Sequence, residues 1–183
     1  MTIITAVSRD GEAAIAADTR VSFGDGGLYH DCSGDSKISE FSFGYVGFAG
    51  SPRLHQVVGG AWKGWSKTSL NNGELLKLCD AASEACRAAA LDPSAEDDNK
   101  DFEAIILDNE GVIWVIDSEF GFFRPGEYAA VGSGAPYALG ALKVLCKSQA
   151  KSFCPQKTVM TATEVACGLC AHCGGEIDLH YID

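Results

Sequence analysis

The chain has 183 residues, and 46% of them are hydrophobic, which is enough apolar side chain for a continuous core without metals or disulfides. Its formal charge of -11 would repel nucleic acid phosphates and anionic lipid surfaces, so neither nucleic acid nor a membrane is an expected partner. No apolar run approaches the roughly 20 residues that span a bilayer, and the first residues lack the pattern of a secretion signal. We therefore expect one cytoplasmic domain that spans residues 1–183.

The first 50 residues have the patterns of paired strands. Apolar residues dominate 3–7 and 13–17, and Asp10-Gly11 between them favours the positive φ angles of a tight hairpin turn. A second strand pair is predicted over residues 37–41 and 43–49. The N-terminal residues are therefore expected to form part of a sheet.

Helical patterns follow. Ser51-Pro52 is a good cap and first-turn pair, and it precedes apolar residues at the spacing of one helix face. A more regular apolar stripe predicts a second helix over residues 74–91. Residues 91–100, which are rich in Asp, Ser and Pro, are predicted to form a surface loop.

The second half of the chain repeats this order. A hairpin is predicted over residues 102–107 and 112–116, with the turn-forming residues 108–111 between its strands. A third helix is expected from Ser133 through Lys147, and Thr161 with Glu164 suggests a capping box for a fourth. Residues 176–182 form a last predicted strand. Hairpins followed by helix pairs, twice over, predict a layered α+β fold: two stacked antiparallel sheets with helices on both outer faces, a four-layer αββα sandwich.

Thr2 is the first candidate for chemistry. A threonine hydroxyl is a weak nucleophile until a base removes its proton, and a free α-amino group on the same residue can be that base because its ordinary pKa is near 8. Met1 before a small residue is a junction that methionine aminopeptidases cut. Thr2 can therefore become the mature N-terminus, although a threonine at position two carries little information by itself.

Four further segments, taken in order with Thr2, resemble the proteasome β-subunit family of N-terminal nucleophile hydrolases, most closely its bacterial HslV-type peptidases. The segments are AADTR at 16–20, SKI at 36–38, GFAGS at 47–51 and VGSG at 131–134. The resemblance covers nearly the whole chain and implies the N-terminal nucleophile form of the αββα sandwich. It also implies a threonine-type endopeptidase in a ring of identical subunits, which cuts polypeptide without a cofactor or metal. Because the chain lacks a phosphate-binding G-x-x-x-x-G-K-[ST] loop, ATP-driven unfolding would need a separate ATPase partner.

The resemblance also implies roles for individual residues. Thr2 matches the nucleophile, Lys37 the lysine whose ammonium lies beside it, and Asp18 the carboxylate that pairs with the lysine. The positive charge would lower the proton affinity of the threonine hydroxyl and amine. Ser133 matches a serine that contacts the nucleophile's amino group, and Gly50 matches the glycine whose N–H stabilises the oxyanion.

A substrate cleft is implied in the same way. The segments that contain Arg20 with Ser22, and Gly47 with Phe48, match the two edges between which an extended substrate adds as a strand. Phe48 matches a residue of the pocket for the side chain before the scissile bond. Its large ring would favour a short, apolar pocket.

One part of the family pattern is changed. Where the family has an aspartate three residues before a serine, this chain has Cys170 and Cys173. Because a thiol is a weak hydrogen-bond partner without a fixed charge, two alternatives remain: an active peptidase, or an impaired or inactive subunit with a structural or assembly role. A third hypothesis is an amidase that acts on a small molecule.

The chain contains eight cysteines, and three of them lie close together near its end. Without a secretion signal we expect reduced thiols rather than disulfides. Cys167, Cys170, His172 and Cys173 have residue types that bind zinc, but no second ligand pair lies nearby in the sequence. Packing of small thiols between a helix and a sheet is therefore the expected role, and no metal is predicted.

Overall fold

The computed structural model describes residues 2–23, 28–32, 34, 36–91, 102–148 and 153–182. Met1, whose removal is predicted, and residues 92–100 of the predicted loop lie outside these ranges. The helices are α1 (Pro52–Trp62), α2 (Asn72–Ala88), α3 (Ala135–Ser148) and α4 (Pro155–Leu169). The strands are β1 (Ile4–Arg9), β2 (Glu12–Asp18), β3 (Arg20–Phe23), β4 (Leu28–Asp31), β5 (Ile38–Phe41), β6 (Gly44–Ala49), β7 (Glu103–Asp108), β8 (Ile113–Ile116), β9 (Phe122–Phe123), β10 (Tyr128–Val131) and β11 (Ile177–Ile182).

The strands form two antiparallel sheets and a small ribbon. The first sheet has the order β10-β1-β2-β11, the second has the order β5-β6-β7-β8-β9, and β3 pairs only with β4 among the described strands. Side chains of α3 and α4 cover the outer face of the first sheet, and those of α1 and α2 cover the second. A third set of apolar side chains fills the space between the sheets. The predicted four-layer αββα sandwich is confirmed.

Residues of β1 alternate between two apolar layers, which explains why this segment is apolar almost throughout. Ile4 and Ala6 face the second sheet, whereas Ile3, just before the strand, and Val7 face the helical layer. The polar Thr5 is buried among them because its hydroxyl bonds that of Thr163 in α4 at 2.8 Å. Full burial of a side chain as large as Ile4 typically stabilises a fold by about 1.5–3 kcal/mol. The beginning of the chain is thus fixed in the centre of the molecule.

Local signals in the sequence correctly predict the first hairpin and the first helix. Asp10 and Gly11 have φ angles of 54° and 91°, as expected for a tight two-residue turn. Arg53 is the second residue of α1. The Ser51 side chain accepts a hydrogen bond from the Arg53 amide and so caps the helix.

The predicted start of the fourth helix is wrong. α4 begins at Pro155, after Cys154, so Thr161 and Glu164 lie inside it rather than at its cap. Proline is well suited to a first helical turn because its φ is already helical and the missing N–H has no partner there anyway. The four short strands β3, β4, β9 and β10 were not predicted from the sequence. Within the described ranges, no helix combines the length and apolar character needed to cross a membrane.

Candidate active site

Thr2 precedes β1 and is enclosed by the turn that follows β10. Its side chain and backbone are 4% exposed, and its nitrogen lies 3.3 Å from Ser133 Oγ. The Ser133 hydroxyl is also 3.3 Å from the Thr2 carbonyl oxygen, which accepts a further hydrogen bond from the Gly134 amide at 3.3 Å. Three contacts from two atoms of one turn therefore fix the position of this residue.

Asp18 connects the Thr2 segment to Lys37. Because β1 and β2 form a hairpin in which Ile4 faces Ala17, Asp18 lies beside Ile3 at the end of β2. Its fully buried carboxylate accepts the Ile3 amide at 2.9 Å and the Lys37 ammonium at 2.6 Å through one oxygen. The other oxygen accepts the Gly174 amide at 2.9 Å. The ammonium thus shares an acceptor atom with the peptide group next to Thr2.

The Lys37 side chain is held on a second side as well. Its ammonium donates to the Arg20 carbonyl oxygen at 2.6 Å, and only 11% of the side chain is exposed. Lys37 precedes β5 in the second sheet, whereas Asp18 ends β2 in the first. The ion pair therefore links the two sheets at the end of the molecule that contains Thr2.

Gly132 lies where the turn passes closest to Thr2. It has a φ of +89°, and a Cβ at this position would come within 2.4 Å of the Thr2 carbonyl oxygen. Glycine is required here both by the backbone conformation and by the available space. The Gly132 amide donates to a Glu103 carboxylate oxygen at 2.8 Å. The sequence analysis did not identify Glu103, and its only signal was a charged residue at the start of an otherwise apolar strand.

Gly47, Phe48 and Gly50 occupy different environments. Gly47 faces the first sheet, and a Cβ there would lie 2.4 Å from the Ile4 side chain, so close packing between the sheets requires this glycine. Phe48 is buried on the helical side and stacks on the His55 ring at a centroid distance of 4.2 Å. Gly50 follows β6 with a φ of +116°. The substrate-pocket and oxyanion roles of these residues stay predictions.

Arg20 and Ser22 of β3 contact the segment that precedes β11. The Arg20 guanidinium donates to Asp31 at 2.9 Å and to the Cys173 carbonyl oxygen at 3.4 Å. The hydrogen bond between the Arg20 and Asp31 side chains raises the pKa of Arg20 and lowers the pKa of Asp31. The Ser22 hydroxyl donates to the His172 carbonyl oxygen at 3.0 Å. These side chains hold the ribbon against the site, and their role in substrate binding stays a prediction.

Two thiols lie next to Ser133. The Cys173 and Cys170 sulfurs are 3.7 and 3.9 Å from its hydroxyl oxygen, and both residues are buried. Burial raises the pKa of the Cys173 thiol far above its usual range, and it raises that of Cys167 to about 11. The Cys167 and Cys173 thiols are therefore protonated groups rather than nucleophiles. In the described part of the chain, no group of three or more His, Cys, Asp or Glu side chains has the arrangement of a metal site.

The structure thus brings together Thr2, Asp18, Lys37 and Ser133, which lie far apart in the sequence. Ala49, the residue before Gly50, adjoins the same turn, because a Cβ on Gly132 would lie 3.4 Å from its own. The functional roles of the set are not tested by this geometry and stay predictions.

Comparison with known proteins gives a consistent result. The chain is 28% identical over 186 residues to the ATP-dependent protease subunit HslV of Pseudothermotoga lettingae, which covers 99% of this chain and 97% of that protein. Among solved structures, Thiobacillus denitrificans BPH matches with a TM-score of 0.83 and 21% identity, over 100% of this chain and 98% of that one. Eukaryotic HslV from Trypanosoma brucei matches with a TM-score of 0.70 and 19% identity, over 100% and 99% of the two chains. No protein-family model matches the chain.

The fold is that of the N-terminal nucleophile hydrolases, with its two stacked sheets between helical layers. Sequence likeness along nearly the entire chain narrows this class further. The chain is similar, over nearly its whole length, to HslV-type subunits of the proteasome β-subunit family.

Proposed function

We propose that this chain is a threonine-type endopeptidase subunit, and that Thr2 is its nucleophile once Met1 has been removed. One observation above all supports the proposal: the Thr2 nitrogen contacts the Ser133 hydroxyl while the adjoining peptide group shares the Asp18 carboxylate with the Lys37 ammonium. After Met1 is removed, that nitrogen would be a free amine within hydrogen-bonding reach of a hydroxyl. An amine with an ordinary pKa near 8 is partly neutral at pH 7 and can accept a proton.

The proposed reaction has two stages. The Thr2 hydroxyl oxygen adds to the carbonyl carbon of a peptide bond as its proton passes to the Thr2 amine. The Gly50 N–H would stabilise the resulting oxyanion, and a donor of this type is typically worth about 3 kcal/mol of barrier. Collapse of the intermediate breaks the C–N bond, the leaving amine takes the proton, and an ester remains on Thr2. Water activated by the Thr2 amine then hydrolyses the ester.

The charges around Thr2 suit this chemistry. The Lys37 ammonium favours the deprotonated, negatively charged form of a neighbouring hydroxyl, while Asp18 keeps the ammonium in place. The low exposure of this pair also limits the screening of the ammonium by water.

We extend the proposal to assembly and substrate. The relative from Pseudothermotoga lettingae is by name an ATP-dependent protease subunit. By analogy, we propose a ring of identical subunits that degrades unfolded polypeptide delivered by a separate ATPase. Size-exclusion chromatography with native mass spectrometry tests the ring, since a monomer of 19.3 kDa would contradict it.

A second candidate function is a ring subunit without peptidase activity. The two thiols beside Ser133 favour it, because they give its hydroxyl weak neutral partners in place of a charged acceptor. In this alternative the fold contributes only to assembly.

One experiment distinguishes the two functions. Intact mass measures whether Met1 is lost, and incubation with a peptide epoxyketone measures whether Thr2 forms a covalent adduct. For the peptidase, we expect a Met-free chain that labels and cleaves a fluorogenic peptide, a Thr2→Ala variant that does neither, and a Thr2→Ser variant that keeps part of both activities. Retained Met1, or a free Thr2 that never labels, would favour the assembly role.

A further inference from the structure

Glu103 lies between the two halves of the candidate site. It is the first residue of β7 in the second sheet and pairs directly with Ala49 of β6, the residue before Gly50. Its carboxylate crosses to the first sheet, where it accepts the Gly132 amide at 2.8 Å. Gly132 follows β10 and adjoins Ser133. One side chain thus connects the strand pair next to Gly50 with the turn that encloses Thr2.

The direction of the Glu103 side chain follows from the alternation of β7. Ala104 and Ile106 face the helical layer, whereas Ile105 and Leu107 face the first sheet. Glu103 has the parity of Ile105, so it continues the row that packs between the sheets. At the end of this row the apolar layer gives way to a partly buried carboxylate. A charged acceptor makes a stronger bond to a backbone N–H than a neutral one.

The two cross-sheet contacts lie on either side of Thr2. The Lys37–Asp18 pair links β5 to β2, and the Glu103–Gly132 contact links β7 to β10. In the proposed reaction the nucleophile belongs to the first sheet and the oxyanion donor follows a strand of the second. The alignment of these two groups therefore depends on how firmly the sheets are held together at this end.

We propose that Glu103 is a positioning residue for peptide hydrolysis. By fixing the turn around Gly132, its carboxylate sets the place of Ser133 and Thr2 relative to the strand that leads to Gly50. This inference depends on the proposed function. Because Glu103 acts through the Gly132 amide, its loss affects the rate of the chemical step more than substrate binding.

Three substitutions of Glu103 distinguish the effects of side-chain length, of negative charge and of losing the acceptor altogether. Glu103→Ala removes the acceptor and leaves the Gly132 amide without it. Glu103→Gln keeps an oxygen acceptor at the same reach but removes the charge. Glu103→Asp keeps the charge but is one methylene shorter, so it cannot reach the amide without a shift of the turn.

A matched control is Asp117→Ala. The Asp117 carboxylate also accepts backbone amides, from Glu119 at 3.0 Å and Gly121 at 2.8 Å, but it does so in an exposed turn between β8 and β9. Asp117 thus makes the same type of contact as Glu103, but it is not connected to the turn around Thr2. Asp117→Ala therefore reports the effect of losing such a contact away from the site.

The test measures kcat and KM for a fluorogenic peptide, together with amide hydrogen exchange of the segment around Gly132. Since a misplacement of about 1 Å can cost about 100-fold in rate, we expect kcat to fall at least about 10-fold in Glu103→Ala and Glu103→Asp. We expect KM to change by less than about 2-fold and Glu103→Gln to stay within about 3-fold of wild type. Hydrogen exchange should accelerate around Gly132 in the Ala and Asp variants and stay unchanged in Asp117→Ala.

Other outcomes would overturn either the positioning role of Glu103 alone or the proposed function together with it. If the wild type cleaves peptide and Glu103→Ala or Glu103→Asp cleaves equally well, the positioning role is wrong and the proposed function stands. If Asp117→Ala loses as much kcat as Glu103→Ala, the effect is one of general stability and the positioning role is again wrong. If the wild type neither labels nor cleaves, the proposed function fails, and the positioning role fails with it.

Discussion

Replacement of Asp18 by asparagine tests the central ion pair with almost no change of shape. In the wild type, all three contacts of the carboxylate are donors: the Ile3 amide, the Lys37 ammonium and the Gly174 amide. Whichever way an asparagine side chain turns, its NH₂ group faces at least one of these donors. The substitution therefore introduces a donor clash and leaves a largely buried ammonium without its counter-charge.

The magnitude follows from the geometry. At 2.6 Å and an effective dielectric constant of about 20, two unit charges attract by about 6 kcal/mol. In the wild type, the desolvation cost of the fully buried Asp18 carboxylate offsets part of this attraction. In Asp18→Asn the attraction is lost, while the Lys37 ammonium stays buried and still pays its own desolvation cost. We therefore expect Asp18→Asn to cost about 3–5 kcal/mol of unfolding free energy, the range typical of a broken buried pair.

Asp108→Asn is the matched control. Asp108 is also fully buried, and its carboxylate also accepts three N–H donors, from Glu110 at 3.0 Å, Val112 at 2.8 Å and the Trp114 ring at 2.9 Å. None of these donors is an ammonium. Asp108→Asn therefore creates the donor clash without an unpaired charge, and it should cost about 1–3 kcal/mol of unfolding free energy.

Urea unfolding of both variants, and of Lys37→Met alone and combined with Asp18→Asn, provides the comparison. Asp18→Asn should also lower Tm by roughly 10 °C in a chain of this size. The double variant should cost about 1–3 kcal/mol less than the sum of its single changes, because each single change leaves a buried charge that the double change removes. Equal costs for Asp18→Asn and Asp108→Asn, together with no coupling to Lys37, would refute the reasoning.

Three further predictions concern the turn, a histidine and the thiols. Gly132→Ala places a methyl group against the Thr2 carbonyl oxygen at a positive φ, so we expect peptidase kcat to fall at least about 10-fold; normal kcat would show that the turn can relax. Burial lowers the pKa of His55, so the unfolded chain binds a proton at this histidine before the folded chain does as pH falls below about 6.5, and the stability of the fold should decrease there. His55→Gln should therefore reduce the drop in urea midpoint between about pH 7.5 and 5.5. An unchanged drop would contradict this prediction. Iodoacetamide at pH 8 should label the exposed Cys154 in the native protein but Cys79, whose pKa burial raises to about 12, only after unfolding, as peptide mass mapping would show; equal native labelling would be evidence against this packing.

The elements that were predicted well are those whose signals come from neighbouring residues. Asp10-Gly11 specifies its turn through its own φ angles, and Ser51 before Pro52 specifies the start of α1 through a cap two residues away. The failure at α4 has the same origin: Thr161 and Glu164 satisfied a local pattern, but Pro155 already begins the helix. The short strands β3, β4, β9 and β10 have too few residues to show a period, so only their pairing partners reveal them.

The candidate site was predicted in part. The order of short motifs along the chain identified Thr2, Asp18, Lys37 and Ser133 through their resemblance to a known family, and the structure brings these residues together. The sequence contained no comparable signal for Glu103, whose partner Gly132 lies 29 residues further along the chain and on the other sheet.

By itself, the sequence determined the alternation that builds the sheets, the stripes that build the helices and the order of the motifs, because dihedral preferences and apolar periods act between near neighbours. Only the tertiary structure decided which groups meet between the sheets: Ser133 reaches Thr2 across 131 residues, and two thiols lie beside its hydroxyl. It also decided that Gly47 leaves room for the Ile4 side chain. Such contacts depend on the packing of two separate sheets at a given distance, and no short stretch of residues encodes that distance.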